Sequence, residues 1–114
     1  MHALIIEDCD LIAMSIENVL RDCGFTSFAV AMSLDQAVAA AAKRCPDLIT
    51  ADVELKPGSG IEAVQTICSK TKIPVVFITG RADVARSRMP GCAVVSKPFR
   101  LAEVQATVRD VLSR

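Results

Sequence analysis

The sequence predicts a doubly wound α/β domain built around a parallel sheet, and three observations predict it. Short apolar runs alternate with stretches of helical periodicity about five times along the 114 residues. Runs such as Ala3-Leu4-Ile5-Ile6 are apolar without alternation, as expected of strands buried on both faces. Polar residues with chemical potential sit immediately after these runs, where an α/β sheet places its ligands.

The elements follow in order. Ala3 to Ile6 is the first strand, stopped by Glu7-Asp8. Leu11, Ile12, Ser15, Ile16, Val19 and Leu20 recur at helical spacing, with Arg21 in the last turn and Gly24 as the stop. Thr26 to Ala31 reads as a second strand. Ser33 then opens a helix, with Gln36 at the capping-box position. The Ala-rich run Ala37 to Ala42 favours that helix, and Cys45-Pro46 ends it. Leu48 to Ala51 is a third strand ending at Asp52, and Lys56-Pro57-Gly58-Ser59-Gly60 is a loop by composition. Ile61, Val64, Ile67 and Cys68 mark one face of a third helix within Ile61 to Ser69. Pro74 to Ile78 is a fourth strand ending at Thr79-Gly80. Arg81 to Pro90 is polar and weakly patterned, with room for a short helix. Cys92 to Val95 is a fifth strand ending at Ser96-Lys97-Pro98. Leu101, Val104, Val108, Val111 and Leu112 form the stripe of a final helix.

Composition narrows the function classes. One domain, residues 1–114, is expected from the length. The chain is 52% hydrophobic, enough for a packed core and too much for a disordered one. Thirteen basic and thirteen acidic residues cancel and no basic stripe stands out, so no direct nucleic-acid partner is implied. No apolar run is long enough for a bilayer, and no signal peptide is evident. The five cysteines are scattered and form no CxxC pair, which points to reduced thiols and a cytoplasmic setting.

The parallel topology predicts convergence of residues far apart in sequence. Glu7, Asp8, Asp52, Thr79 and Lys97 all follow strands, so all should meet at one edge of the sheet. Three carboxylates brought together repel unless a cation joins them, and hard oxygen donors suit Mg²⁺. A metal and an ammonium sharing the oxygens of a phosphoryl group, with a hydroxyl on a third, is the recurring arrangement for phosphoryl transfer. One carboxylate would then serve as nucleophile and form an acyl phosphate.

These residues resemble the receiver domain of bacterial response regulators. The likeness rests on Glu7-Asp8, Asp52, Thr79-Gly80 and Lys97-Pro98-Phe99, in that order along the whole chain. It implies a flavodoxin-like (βα)5 fold, a parallel sheet in the order 2-1-3-4-5, and a two-component signalling role in place of ordinary enzyme activity. By the same resemblance Asp52 is the phospho-acceptor. Glu7, Asp8, Asp52 and the backbone carbonyl of Glu54 bind Mg²⁺. Lys97 contacts the phosphoryl group, Thr79 is the switch hydroxyl, and the Lys97-Pro98 bond is cis. The implied partners are a histidine kinase or a histidine phosphotransfer protein, with a further protein downstream.

The sequence departs from the common receiver pattern in three places. Glu7 stands where Asp is more usual. Val94, three before Lys97, replaces the ring that usually rotates with the Thr. The Thr79–Lys97 stretch is short, which predicts a short or irregular fourth helix. Phe77-Ile78-Thr79-Gly80 is similar to a subgroup of alphaproteobacterial receivers with a Phe-x-Thr-Gly motif, often found in stress signalling.

Two other functions compete. Asp8-Cys9-Asp10-Leu11-Ile12 loosely resembles the nucleophile motif of haloacid-dehalogenase-like phosphohydrolases, which would make Asp8 the nucleophile. That family needs a cap and a later acidic pair, which this sequence does not offer. A phosphorylation-independent adaptor with a receiver fold is the second, and the intact acid, Thr and Lys set argues against it. Blander roles also exist: Asp52 as a turn cap, Glu7-Asp8 as solvated acids, Lys97 as a surface ammonium and Thr79 as a β-former. Glu54 and Arg81 are either solvated or placed to tune hydrolysis of an acyl phosphate. Cys9 beside two acids is expected to be a poor redox thiol, and His2 is expected on the surface.

Overall fold

Among the described residues, the alternation of apolar runs and amphipathic stretches resolves into five strands and five helices. The computed structural model describes residues 1–114 except Lys56, so the loop expected at 56–60 is described from Pro57 onward and Lys56 lies outside it. The elements are β1 (His2–Ile6), α1 (Asp10–Asp22), β2 (Ser27–Ala31), α2 (Leu34–Lys43), β3 (Leu48–Ala51), α3 (Gly60–Ile67), β4 (Val75–Thr79), α4 (Ala82–Arg88), β5 (Ala93–Ser96) and α5 (Leu101–Leu112). The sheet is wholly parallel, in the order β2-β1-β3-β4-β5. This is the predicted flavodoxin-like order.

Strand periodicity divides the core in two. Leu4, Ile6, Ile49, Ala51, Val75 and Phe77 point to one face and pack with Ala37 of α2 and Ile61 and Val64 of α3. Ala3, Ile5, Leu48, Val76 and Ile78 point to the other and pack with Ile16 and Leu20 of α1 and Val104 and Val108 of α5. Both faces are covered, which is why these strands read as continuous apolar runs. Thr50 is the exception. It sits in register with Ile5 and Val76, is buried, and its hydroxyl has no hydrogen-bond partner among the described residues.

Local chemistry sets the boundaries. At the end of α1 the amide of Phe25 donates to Leu20 O and that of Gly24 to Arg21 O, with Gly24 at φ 99°. This is a Schellman closure, and its left-handed residue requires the glycine. The Ser33 Oγ caps α2 by accepting from the Gln36 amide at 3.2 Å. The Gln36 side chain accepts from the Met32 amide, one residue earlier than in the usual reciprocal box. The short α4, seven residues, agrees with the weak pattern of that segment.

His2 departs from expectation. It is the first residue of β1 and only 5% exposed. Its Nδ1 lies 2.8 Å from Ser27 Oγ, which also accepts from Arg44, and its amide donates to the Asp47 carboxylate. Burial, followed by the Arg44 charge, holds the imidazole pKa below its ordinary value. Pairing with β2 covers a residue that sequence position alone would leave at the surface. Among the described residues, no helix is long and apolar enough to cross a membrane.

Candidate functional site

A parallel sheet brings the strand ends together. The β1 strand delivers Glu7 and Asp8, β3 delivers Asp52, β4 ends on Thr79 and β5 precedes Lys97. Main-chain bonds fix these exits. The Asp52 amide donates to Ile6 O at 2.9 Å, the Glu7 amide to Ala31 O, and the Lys97 amide to Thr79 O at 2.9 Å.

The side chains close on one another. Lys97 Nζ lies 2.7 Å from Glu7 Oε1 and 2.7 Å from Asp52 Oδ2. The second oxygen of each acid takes a main-chain donor: Glu7 Oε2 accepts from Cys9 N–H and Asp52 Oδ1 from Glu54 N–H. Glu7 and Asp52 are buried and Asp8 is half-buried. Carboxylate oxygens of Glu7, Asp8 and Asp52 lie within 4.8 Å of one another.

Electrostatics follows from that crowding. Burial pushes the Glu7 carboxyl pKa up, and the Lys97 ammonium only partly opposes it. Burial works against the Lys97 charge, but the hydrogen bonds it donates to Asp52 and Glu7 outweigh it and raise the Lys97 pKa. Three carboxylates against one ammonium leave two negative charges uncompensated. An oxygen-only donor set with that surplus fits a hard divalent cation of the Mg²⁺ type.

Four of the predicted residues therefore meet: Glu7, Asp8, Asp52 and Lys97. Thr79 is fully buried beside them, and its Oγ1 accepts from the Arg81 amide at 3.0 Å. A hydroxyl that accepts still has its proton to give. Glu54 contributes its amide to Asp52, while its side chain is exposed. Val94 lies in register with Phe77 and packs, partly buried, on the α2–α3 side of the core. The Lys97-Pro98 bond is cis, as expected. Asp10, the second acid of the dehalogenase-like motif, is exposed at the start of α1 and outside the acidic cluster.

Sequence reasoning missed Gly60. An ideal Cβ at this residue would lie 1.8 Å from the Asp52 carbonyl oxygen and 2.7 Å from its carbonyl carbon. The glycine-rich composition flagged a loop, and nothing in the sequence said which glycine the site needs. Clefts of about 450 and 540 Å³ lie between α2 and α3 and beneath β4, β5 and α5, and no residue of the acidic cluster lines either.

A parallel five-stranded sheet with an acidic cluster and a lysine at its C-terminal edge defines a signalling domain of the receiver class. The family model described as "Response regulator receiver domain" matches residues 3–109, and the chain belongs to that family. It is 35% identical to the phyllosphere-induced regulator PhyR of Methylorubrum extorquens over 113 residues, covering 96% of this chain and 42% of PhyR. It is 32% identical to the KDP operon transcriptional regulatory protein KdpE of Escherichia coli, covering 99% of this chain and 52% of KdpE. The chain thus spans about half the length of these curated relatives. Among solved structures, the PhyR receiver domain of Erythrobacter litoralis superposes with a TM-score of 0.87 at 37% identity, over 98% of this chain and 89% of that one. PhyR of Brucella abortus gives 0.88 at 34% identity, over 98% and 47%. The chain is a response regulator receiver domain of two-component signalling.

Proposed function

We propose that residues 1–114 work as a phosphorylatable receiver in which Asp52 accepts a phosphoryl group from a histidine kinase or histidine phosphotransfer protein. The observation that carries this reading is Lys97 Nζ shared at 2.7 Å between Asp52 and Glu7, with Asp8 alongside. Glu7, Asp8, Asp52 and the Glu54 carbonyl would hold Mg²⁺, which when bound neutralises charge on the transferring phosphoryl oxygens. An Asp52 carboxylate oxygen forms the new bond to phosphorus as the bond to the donor's histidine nitrogen breaks. Lys97 exchanges a carboxylate for a phosphoryl oxygen, which costs little because it already spans two acceptors. Thr79 turns its free hydroxyl proton to another oxygen while Arg81 N–H still holds its Oγ1.

The output passes through a protein surface, in keeping with relatives such as the anti-anti-sigma factor PhyR of Bartonella quintana. The test is labelling with acetyl phosphate or beryllofluoride in the presence of Mg²⁺, followed by mapping of the adduct. Label on Asp52, lost in Asp52→Asn, is the expected result. Label on Asp8 would overturn the reading in favour of a dehalogenase-like nucleophile.

A further inference from the structure

Both main-chain sides of Asp52 are held. Its amide donates to Ile6 O at 2.9 Å, next to Glu7 on β1. Its carbonyl oxygen lies where a Cβ of residue 60 would be, 1.8 Å from that ideal position. Described residues on either side of the loop between them are tied together. The Gly60 amide donates to Val53 O at 3.0 Å, Glu54 and Ser59 form a bridge, and Ser59 Oγ caps α3 by accepting from Ile61 N–H. The carboxylate therefore projects from a peptide clamped between β1 and the first residue of α3.

We propose that Gly60 is a positioning residue for Asp52: the missing Cβ lets α3 close onto the Asp52 carbonyl and so fixes the direction of the carboxylate toward Glu7 and Lys97. The inference rests on the reading of Asp52 as phospho-acceptor. The obstruction is main chain, so no side-chain rotation relieves it. Any Cβ pushes the Asp52–Val53 peptide by roughly 1 Å or more to regain van der Waals separation. The carboxylate moves with that peptide, away from the 2.7 Å contact with Lys97 and the 3.1 Å contact with Glu54 N–H.

Gly58 supplies the control. It lies in the same loop at φ 97°, and the nearest atoms a Cβ there would meet all belong to Leu34 of α2, its Cβ at 2.8 Å. Gly58→Ala strains the loop without touching Asp52. The experiment compares wild type, Gly58→Ala and Gly60→Ala in three readouts: melting temperature, ¹⁹F NMR of the beryllofluoride adduct with Mg²⁺, and the initial rate of labelling by acetyl phosphate. Gly60→Ala is expected to fold and to lose about 100-fold in labelling rate, the scale of a 1 Å misplacement of a reacting group. Its ¹⁹F adduct signal should be weakened or shifted. Gly58→Ala is expected to lower the melting temperature and keep the wild-type labelling rate and ¹⁹F signal. A folded Gly60→Ala with wild-type labelling overturns the proposal. So does equal loss of labelling in both variants. A Gly60→Ala chain that does not fold also overturns it, because residue 60 would then serve the fold and not the site. If the wild type itself takes no adduct at Asp52, the phospho-acceptor reading fails instead.

Discussion

Replacing Asp8 by Asn removes one of three crowded acids and leaves the shape nearly unchanged. Oxygens of Asp8 lie within 4.8 Å of those of Glu7 and Asp52. At that separation a pair of unit charges repels by about 0.9 kcal/mol in water and about 3.5 kcal/mol at an effective dielectric constant of 20. Asp8 is half-buried, so solvent screens it and the lower figure applies. Two such pairs give ~2 kcal/mol of repulsion, and attraction to Lys97 cancels about half of it. In the presence of a chelator, Asp8→Asn should therefore be more stable than wild type by ~1 kcal/mol, or about 4 °C in melting temperature for a domain of this size. Mg²⁺ should reverse the ranking. A ligand at 100 times its Kd stabilises the folded state by about 2.7 kcal/mol, and only the wild type keeps the full donor set. Thermal melts in EDTA and across a Mg²⁺ series read both effects at once. If Asp8→Asn melts below wild type in EDTA yet rises equally with Mg²⁺, the cluster is not a strained cation site and the reasoning is wrong.

Three further outcomes follow from groups elsewhere in the fold. Thr50→Val deletes a buried hydroxyl that has no partner among the described residues and should stabilise the domain by about 1–2 kcal/mol, measured by urea denaturation; an unchanged midpoint would mean that the hydroxyl is satisfied. The His2 imidazole has a lowered pKa in the fold, so the unfolded chain binds the proton more readily. Its contribution costs nothing well above the ordinary value of 6.5 and becomes destabilising as pH falls through it. His2→Gln should therefore lose less stability than wild type between about pH 7.5 and 5.5, and parallel stability curves would contradict the assignment. Ser33→Ala removes the α2 cap and should cost about 1 kcal/mol, with acetyl phosphate labelling unaffected.

What could be read from the sequence, and what could not, has a physical pattern. Strands buried on both faces are mostly apolar, Thr50 aside, so charged and hydroxyl groups gathered at their C-terminal ends are conspicuous. That is why Glu7, Asp52, Thr79 and Lys97 stood out and why their convergence followed from topology. Strand limits were legible to within a residue, in the half-buried edge strands β2 and β5 as well as in the buried β1, β3 and β4. His2 was misjudged because burial at the first residue of a strand depends on a partner strand, here the Ser27 side chain of β2. Helix α4 was only faintly legible because it buries little more than Ala82 and Ala85.

Gly60 shows the deeper limit. A glycine that bends the chain announces itself by turn composition, whereas one that admits another backbone leaves no local signature. The partner of Gly60 is the carbonyl of Asp52, whose own sequence signal is its carboxylate. Two residues of one site thus carry information of different kinds. The acid is legible because its chemistry is unusual at the end of an apolar strand. The glycine becomes legible only once α3 is seen to close on β3, and a substitution there would leave every recognisable residue of the site in place while displacing the acid.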